Sequence, residues 1–502
     1  MANNYVLRRK QRVSGRLSRF FTKTFIDEKL YNWFGCILLG LIAVAIGYLM
    51  ARQIVLGLTV IGVGLALCVV LPSLANGPLS LYFVLFYNYF IYMVPRLLDN
   101  TDLKVGIPED GLIVCALLGF VMRREHLKGD VVQLFRTRVM GWALALYGLT
   151  ALEFLNPLAH SFDGWQDAFR HATENFLLLV IAYFVFTTKA RIDQYLLVLF
   201  WASLLVALYG CIQQWHGMFP FEMRIISRMK YGLGALYYAG QIRKWSTVSS
   251  ATAFGMDMAA MAALYTILGL NEKRVRRKWL YLIGVIPMLL GMTYSGTRTS
   301  NVMFVAGLGL YTLLHMDEKR TRIFAVVTFL LLLAIIKLPF YGGPTVQRFR
   351  TSFEGKSDAS YNVREVNRKR IQPYIYTHPI GGGLGTTNNQ GNTYNPGHYL
   401  AGFQTDDGYL KTALEMGYIG LLLSVILNFN ILSTGVRKYF RTQDEWEKTI
   451  LAASMACIFT YVVGDLAQEG IGEISSVCFY FPVIAIILRI GNTRTVMAGR
   501  RS

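Results

Sequence analysis

Apolar runs of about twenty residues recur along this chain from Trp33 to Ile490, separated by shorter polar gaps. They lie near 33–50, 54–72, 78–95, 110–122, 139–155, 170–188, 194–214, 248–270, 279–295, 299–316, 322–340, 408–432, 450–466 and 474–490. A run of this length matches the hydrocarbon thickness of a bilayer. Lipid leaves backbone N–H and C=O groups no partner except one another, so each long run predicts a helix. The gaps around 50–54 and 295–299 are short enough to be tight turns. The pattern predicts an all-α, polytopic membrane protein with about 14 transmembrane helices and a long outward loop.

The polar gaps then orient the chain. With the amino terminus in the cytoplasm, the inward gaps are "RREHLKGDVVQLFRTR", "TTKARID", "NEKRVRRK", "DEKRTR" and "GVRKYFRTQDEWEK", all basic or balanced. The outward gaps "RLLDNTDLKVGIPED" and "GDLAQEGIGE" are acidic. Cytoplasmic gaps favour Lys and Arg, so this alternation places both termini in the cytoplasm. The predicted organisation is a basic cytoplasmic tail at 1–32, helices 1–11 over 33–340 with an outward loop at 217–247, a large outer-face loop with short helices at 341–405, helices 12–14 over 406–490, and a cytoplasmic tail at 491–502.

Composition agrees. Of 502 residues, 54% are hydrophobic and only 16% charged, against about one quarter charged in soluble domains. The net charge of +20 invites a nucleic-acid reading, but most cations sit in short gaps between apolar runs, where a membrane face explains them. Membrane lipids, not nucleic acid, are the expected surroundings. The opening "MANNYVLRRKQRVSGRLSRFFTKTF" lacks the apolar core of a signal peptide and reads as a retained tail. Cys36, Cys68, Cys115, Cys211, Cys457 and Cys478 all fall in apolar runs and read as small buried side chains.

Two outward segments depart from the charge rule. Residues 217–247 carry five cations and one acid, and 341–405 carry seven cations and three acids. Cations kept on the outer face suit either an anionic partner or anionic lipid headgroups. Within "NVREVNRKRIQPYIYTHPIGGGLG", Arg364, Arg368, Lys369 and Arg370 crowd together. Arginine forks match diphosphate oxygens and stay charged. Arg298 lies in the short turn "TYSGTRTS", Arg243 and Lys244 precede the run "STVSSATAFG", and Asp406 and Asp407 open the run after the long loop. These loops would meet at one depth. The run Gly381–Gly385 lacks the strand, helix and Lys-Ser/Thr of a nucleotide loop. It reads either as a turn presenting N–H groups to an anion or as a plain loop.

From about residue 240 to 430 the chain resembles the O-antigen ligase and polysaccharide polymerase superfamily of bacterial inner membranes. The resemblance is carried by "RKWSTVSSATAFG", by "GMTYSGTRTSNVMFVAGLGL", by Arg364 ahead of "HPIGGGLG", by Arg370 ahead of Gly381, and by "TDDGYLKTALEMGYIGLLL". It implies a metal-independent glycosyltransferase of lipopolysaccharide or exopolysaccharide biosynthesis. Such an enzyme moves a glycan from a polyprenyl (undecaprenyl) diphosphate carrier to an acceptor hydroxyl on the lipid A–core or on a growing glycan. By resemblance, Arg298, Arg364, Arg370 and Arg243 or Lys244 would hold the diphosphate and stabilise the leaving group, and no cofactor is needed. Ligases of the family often carry His-Asn where this chain has Asp406-Asp407. The acceptor-side task then falls to Asp406, Asp407 or His398, with Arg368, His378 and Asp257 as accessory candidates.

Each candidate also has a plainer reading. Asp406 and Asp407 are placed to favour the first turn of a helix. Their side chains point about 100° apart on a helix, a poor metal chelate. His378 precedes Pro379 and suits a structural role. Asp257, deepest in its run, would hydrogen-bond a neighbouring helix or shape a groove. The rival function is a transporter or flippase of a lipid-linked saccharide, which would place paired charges near the midplane.

Overall fold

The computed structural model describes residues 37, 41, 64, 68–74 and 77–491, without 101–102, 104, 124–126, 229–235, 239–240, 318, 338–358 and 406. The predicted runs 33–50 and 54–72, both tails, residues 341–358 of the long loop and Asp406 therefore lie wholly or mostly outside the described residues. The chain divides into two compact units, Met1–Pro72 and Ser73–Ser502. Everything below concerns the second.

That unit is built of helices. In order they are α1 (Gly77–Phe90), α2 (Met93–Leu97), α3 (Gly106–Arg123), α4 (Leu127–Phe135), α5 (Arg138–Leu152, continued by a 3-10 turn at Glu153–Leu155), α6 (Phe162–Val185), α7 (Lys189–Trp215) and α8 (Pro220–Arg228). A two-residue antiparallel pair, β1 (Tyr237–Tyr238) with β2 (Gln241–Ile242), precedes α9 (Ala251–Asn271). Then come α10 (Val275–Tyr294), α11 (Arg298–Leu314), α12 (Lys319–Lys337), α13 (Ala359–Thr377), α14 (Asn388–Tyr394), α15 (Gly408–Glu415), α16 (Gly417–Arg441), α17 (Glu445–Gly464) and α18 (Ile474–Arg489).

Among the described residues, five helical stretches are long and apolar enough to cross a membrane: 138–155, α7, α9, α16 and α17. Fewer predicted spans pass this test than the apolar runs suggested, for identifiable reasons. Helix α6 begins eight residues before its apolar run, drawing in Asp163 and Asp167, and that run itself opens on Arg170. Helix α10 starts with Arg276, Arg277 and Lys278. Helix α11 has 17 residues and α18 only 16. The gap before α5 holds a helix, α4, that the hydropathy pattern left as loop.

The core is organised on α9. Its sequence, "ATAFGMDMAAMAALYTILGLN", is apolar on every side, so no face prefers solvent. In its apolar window 89% of residues are buried, against 22% in α5 and in α16. Small Ala and Gly side chains let α10, α11 and α17 approach it closely. Asp257 within α9 accepts a hydrogen bond from the Tyr461 hydroxyl of α17, which ties the two helices together.

Side-chain caps fix where the helices begin. Ser161, Thr188, Ser250, Asp407 and Asp444 each accept a backbone N–H from the first turn that follows. Up-and-down connections gather the starts of α6, α9, α11 and α18 at one end of the bundle, with the ends of α7, α10 and α17.

Candidate active site at one end of the bundle

At this end, the segment before α9 is stitched to the turn between α10 and α11. Arg243 donates from Nε to the Ser295 carbonyl at 3.0 Å and from its guanidinium to Thr297 Oγ1 at 2.9 Å and Thr252 Oγ1 at 3.4 Å. Thr297 Oγ1 donates to the Ala251 carbonyl at 3.1 Å, and the Lys244 N–H reaches the Tyr294 carbonyl at 3.2 Å. Gly255 makes this possible, because a Cβ there would collide with Ser295 and Thr297. Arg298 follows at once as the first residue of α11. The Arg243 guanidinium thus lies against the first turn of α9, with Lys244 and Arg298 belonging to the two segments stitched together there. Lys244 is buried, and burial pulls its ammonium below its ordinary range while Glu222 acts the other way.

The other two cations expected to hold a diphosphate lie on α13. Arg370 is exposed, and Arg364 stands one helical turn before Arg368. Arg368 donates to Asp407 at 2.7 Å and to the Leu466 carbonyl at 3.1 Å. Asp407 also caps α15 through the Leu410 N–H at 2.6 Å. The pair therefore docks α13 onto α15 and onto the end of α17.

The glycine run has a different task from cradling an anion. The Gly382 N–H donates to the Leu414 carbonyl at 2.7 Å and the Gly383 N–H to the Glu415 carbonyl at 2.9 Å. These bonds close the carboxyl end of α15. Gly381 and Gly383, at φ +78° and +91°, adopt the left-handed backbone this turn requires. Gly417, at φ +65°, breaks the predicted run 408–432 into α15 and α16 where the Tyr418 N–H bonds the Pro379 carbonyl. Only α16 is then long enough to span.

His378 stacks on Tyr374 with ring centroids 4.0 Å apart, and Tyr374 stacks in turn on Tyr399 at 5.3 Å. His398 Nδ1 accepts the Leu400 N–H at 3.1 Å. Burial, then the neighbouring His160 and His378, lowers its pKa, so it favours the neutral imidazole.

Beside these elements is a cavity of about 540 Å³. Val139 and Leu146 of α5, Leu427 and Ile431 of α16 and Ile484 of α18 form its apolar part. Its polar part holds His171, Lys411, Glu415, Asp465, Glu469 and Glu473. Lys411 Nζ contacts Glu469 at 3.0 Å. Glu415, Glu469 and Glu473 together raise the Lys411 pKa against the opposing effect of burial. Glu469 Oε1 accepts from Asn388 at 2.8 Å and from Thr405. Glu415 accepts from the Thr387 N–H and hydroxyl. Asp465, the first residue beyond α17, accepts the Gly470 N–H at 3.1 Å and the Ile471 N–H at 3.3 Å, and burial raises its pKa to about 7. Glu473 accepts from Ser249 Oγ at 3.2 Å, two residues before α9.

None of the sequence-predicted site residues lines this cavity. Asp407 comes nearest, next to the lining residue Gly408. Asp257 is packed between helices instead. Sequence reasoning passed over Lys411, Glu469 and Glu473. Their signal was present: two acids in the outward gap "GDLAQEGIGE" just ahead of an apolar run, and a lysine inside another such run. Among the described residues, no three His, Cys, Asp or Glu side chains are grouped as ligands of a metal ion.

Residues 283–425 match the model of a family described as O-Antigen ligase. This match supports the O-antigen ligase and polymerase superfamily for the chain. It takes in Arg298, Arg364, Arg370, Lys411 and Glu415, whereas Arg243, Glu469 and Glu473 lie outside it. No curated protein matches the chain. The apolar helices and this match together point to a bacterial membrane protein.

Proposed function

We propose that this protein transfers a glycan from a polyprenyl (undecaprenyl) diphosphate carrier to an acceptor hydroxyl at the outer face of the bacterial inner membrane, as an O-antigen ligase or a surface-polysaccharide polymerase. The observation that carries the reading is the stitching of Arg243 to the turn that presents Arg298, beside the start of α9. Two cations from segments far apart in sequence, with the positive end of a helix, suit one diphosphate. As the anomeric bond breaks, charge grows on the leaving diphosphate, and fixed guanidinium groups stabilise that charge more than the ground state.

In this reading Arg298, Arg364, Arg370, Arg243 and Lys244 hold the diphosphate, and no metal is needed. Asp406, Asp407 and His398 lie on the acceptor side. The carboxylate of Asp407 is held by Arg368 and caps α15, which suits orienting a hydroxyl. Both termini are cytoplasmic, with the cavity end outward.

The test is purified protein given a lipid-diphosphate glycan, with and without a lipid A–core acceptor. Glycan lengthened on its carrier identifies a polymerase, and glycan on the lipid A–core a ligase. Absence of transfer, together with movement of the lipid-linked glycan across vesicles, would replace this reading with a transporter.

A further inference from the structure

We infer that the carboxylate of Glu473 takes the proton of the acceptor hydroxyl, and that the cavity in front of it receives the acceptor and not the anionic donor. The inference rests on the glycosyl-transfer reading above.

Charge decides which substrate enters. The cavity is lined by Glu415, Asp465, Glu469 and Glu473, with Lys411 as its only cation that is permanently charged and with no arginine among the described residues. A diphosphate entering it would meet carboxylates. A hydroxyl-bearing sugar would meet hydrogen-bonding groups in Asn175, Gln390, Thr412 and Asn428. The apolar part between α5 and α16 suits the chain of a lipid-borne acceptor.

Hydrogen bonding decides which carboxylate acts. Asp465 takes two backbone N–H groups on Oδ1, and it is buried with Oδ2 packed against Gly408. Glu469 is held on both oxygens, by Asn388 and Thr405 on one and Lys411 on the other. Glu415 is fixed to Thr387 and buried. Among the described residues, Glu473 accepts only the Ser249 hydroxyl, on Oε2, which leaves Oε1 for a ligand. Ser249 also ties Glu473 to the segment that leads into α9. It lies one helical turn before Thr252, to which Arg243 donates. The base and the Arg243 guanidinium thus flank the same helix start. Burial raises the Glu473 pKa, which makes its carboxylate a stronger base than an exposed glutamate.

The step balances within the two substrates. The acceptor oxygen bonds to the anomeric carbon while the bond from that carbon to the diphosphate oxygen breaks. The bonding pair leaves on the diphosphate, and the acceptor proton moves to Glu473 Oε1.

The experiment uses the full chain in proteoliposomes with the lipid-diphosphate glycan and its acceptor. It measures transfer against pH and, separately, retention of the donor by the protein. Glu473→Gln is expected to lower transfer by about 10²–10⁴-fold with donor retention unchanged, and Glu473→Asp to restore part of the rate. Ser249→Ala is expected to move the acidic limb of the pH profile upward, because the lost hydrogen bond had favoured the carboxylate. Wild-type transfer with an indifferent Glu473→Gln overturns the role of Glu473 and leaves the glycosyltransferase reading standing. Loss of donor retention in Glu473→Gln, with a Ser249→Ala profile like that of the wild type, also overturns it in favour of a structural role. Failure of the wild type to transfer overturns both.

Discussion

The two ends of the helical bundle use charge in different ways. At the end away from the cavity, ions are matched. Lys189, ahead of the apolar part of α7, meets Asp444 at 2.6 Å before α17. Arg277 meets Asp193 at 3.7 Å, and Arg489 at the close of α18 meets Asp130 at 3.2 Å. Lys438 closes the same corner by donating to the carbonyls of Ile487, Leu488 and Ile490. At the cavity end Arg368 and Arg170 are also paired with carboxylates, but in the cavity itself Glu415, Glu469 and Glu473 act on the single Lys411, with Asp465 as a fourth lining carboxylate. Matched charges hold helices together. Charge left unbalanced around a cavity costs stability and marks a place where a ligand completes the arrangement.

The contrast is sharpest where catalysis is at stake. Arg298→Ala and Arg364→Ala are each expected to abolish transfer while leaving expression and thermal stability near wild type, as measured on purified protein. Full activity in both would remove the diphosphate clamp and with it the functional meaning of the cavity end. Arg489→Ala should do the opposite. Its side chain is 1% exposed and also lies over the Tyr183 ring, so its loss removes a largely buried ion pair and a ring contact at a cost of roughly 3–5 kcal/mol. Denaturation in detergent should show that loss, with transfer per folded molecule unchanged.

Lys411→Met tests the imbalance itself. Lys411 lowers the pKa of Glu473. Without it the carboxyl group keeps its proton to higher pH, so the base is depleted first on the acidic side. Transfer is expected to fall about tenfold, with the deficit growing as pH drops. A uniform loss across pH would mean that Lys411 acts only by packing. The smallest effect belongs to Lys189→Ala. Its pair with Asp444 is 38% and 44% exposed, and such pairs contribute about 0–1 kcal/mol. A shift of that size in melting, with normal transfer, would confirm the far end as scaffold.

The sequence was most legible where structure is local. Apolar runs located helices such as α7, α9 and α17 within a few residues, and Asp407 ahead of a run marked a cap. The neighbourhood of Arg243 and the Ser-Gly-Thr-Arg turn was also readable, since both border apolar runs at one depth. The division of 408–432 into α15 and α16 was not, because it depends on Pro379, Gly382 and Gly383 bonding to that stretch from a preceding loop. Nor was the charged opening of α6, which hydropathy cuts away although its helix is continuous.

What the amino-acid order determined alone is the helical class, the apolar spans and the alternation of charge between their ends. Those follow from backbone hydrogen bonding and side-chain transfer between water and lipid, which act residue by residue. Tertiary structure decided which charges meet. Glu473 gains its meaning from Ser249, Lys411 from Glu469, and Arg368 from Asp407, partners 224, 58 and 39 positions apart. Electrostatic interaction depends on distance in space and on the medium between the charges, and hydropathy along the chain records neither.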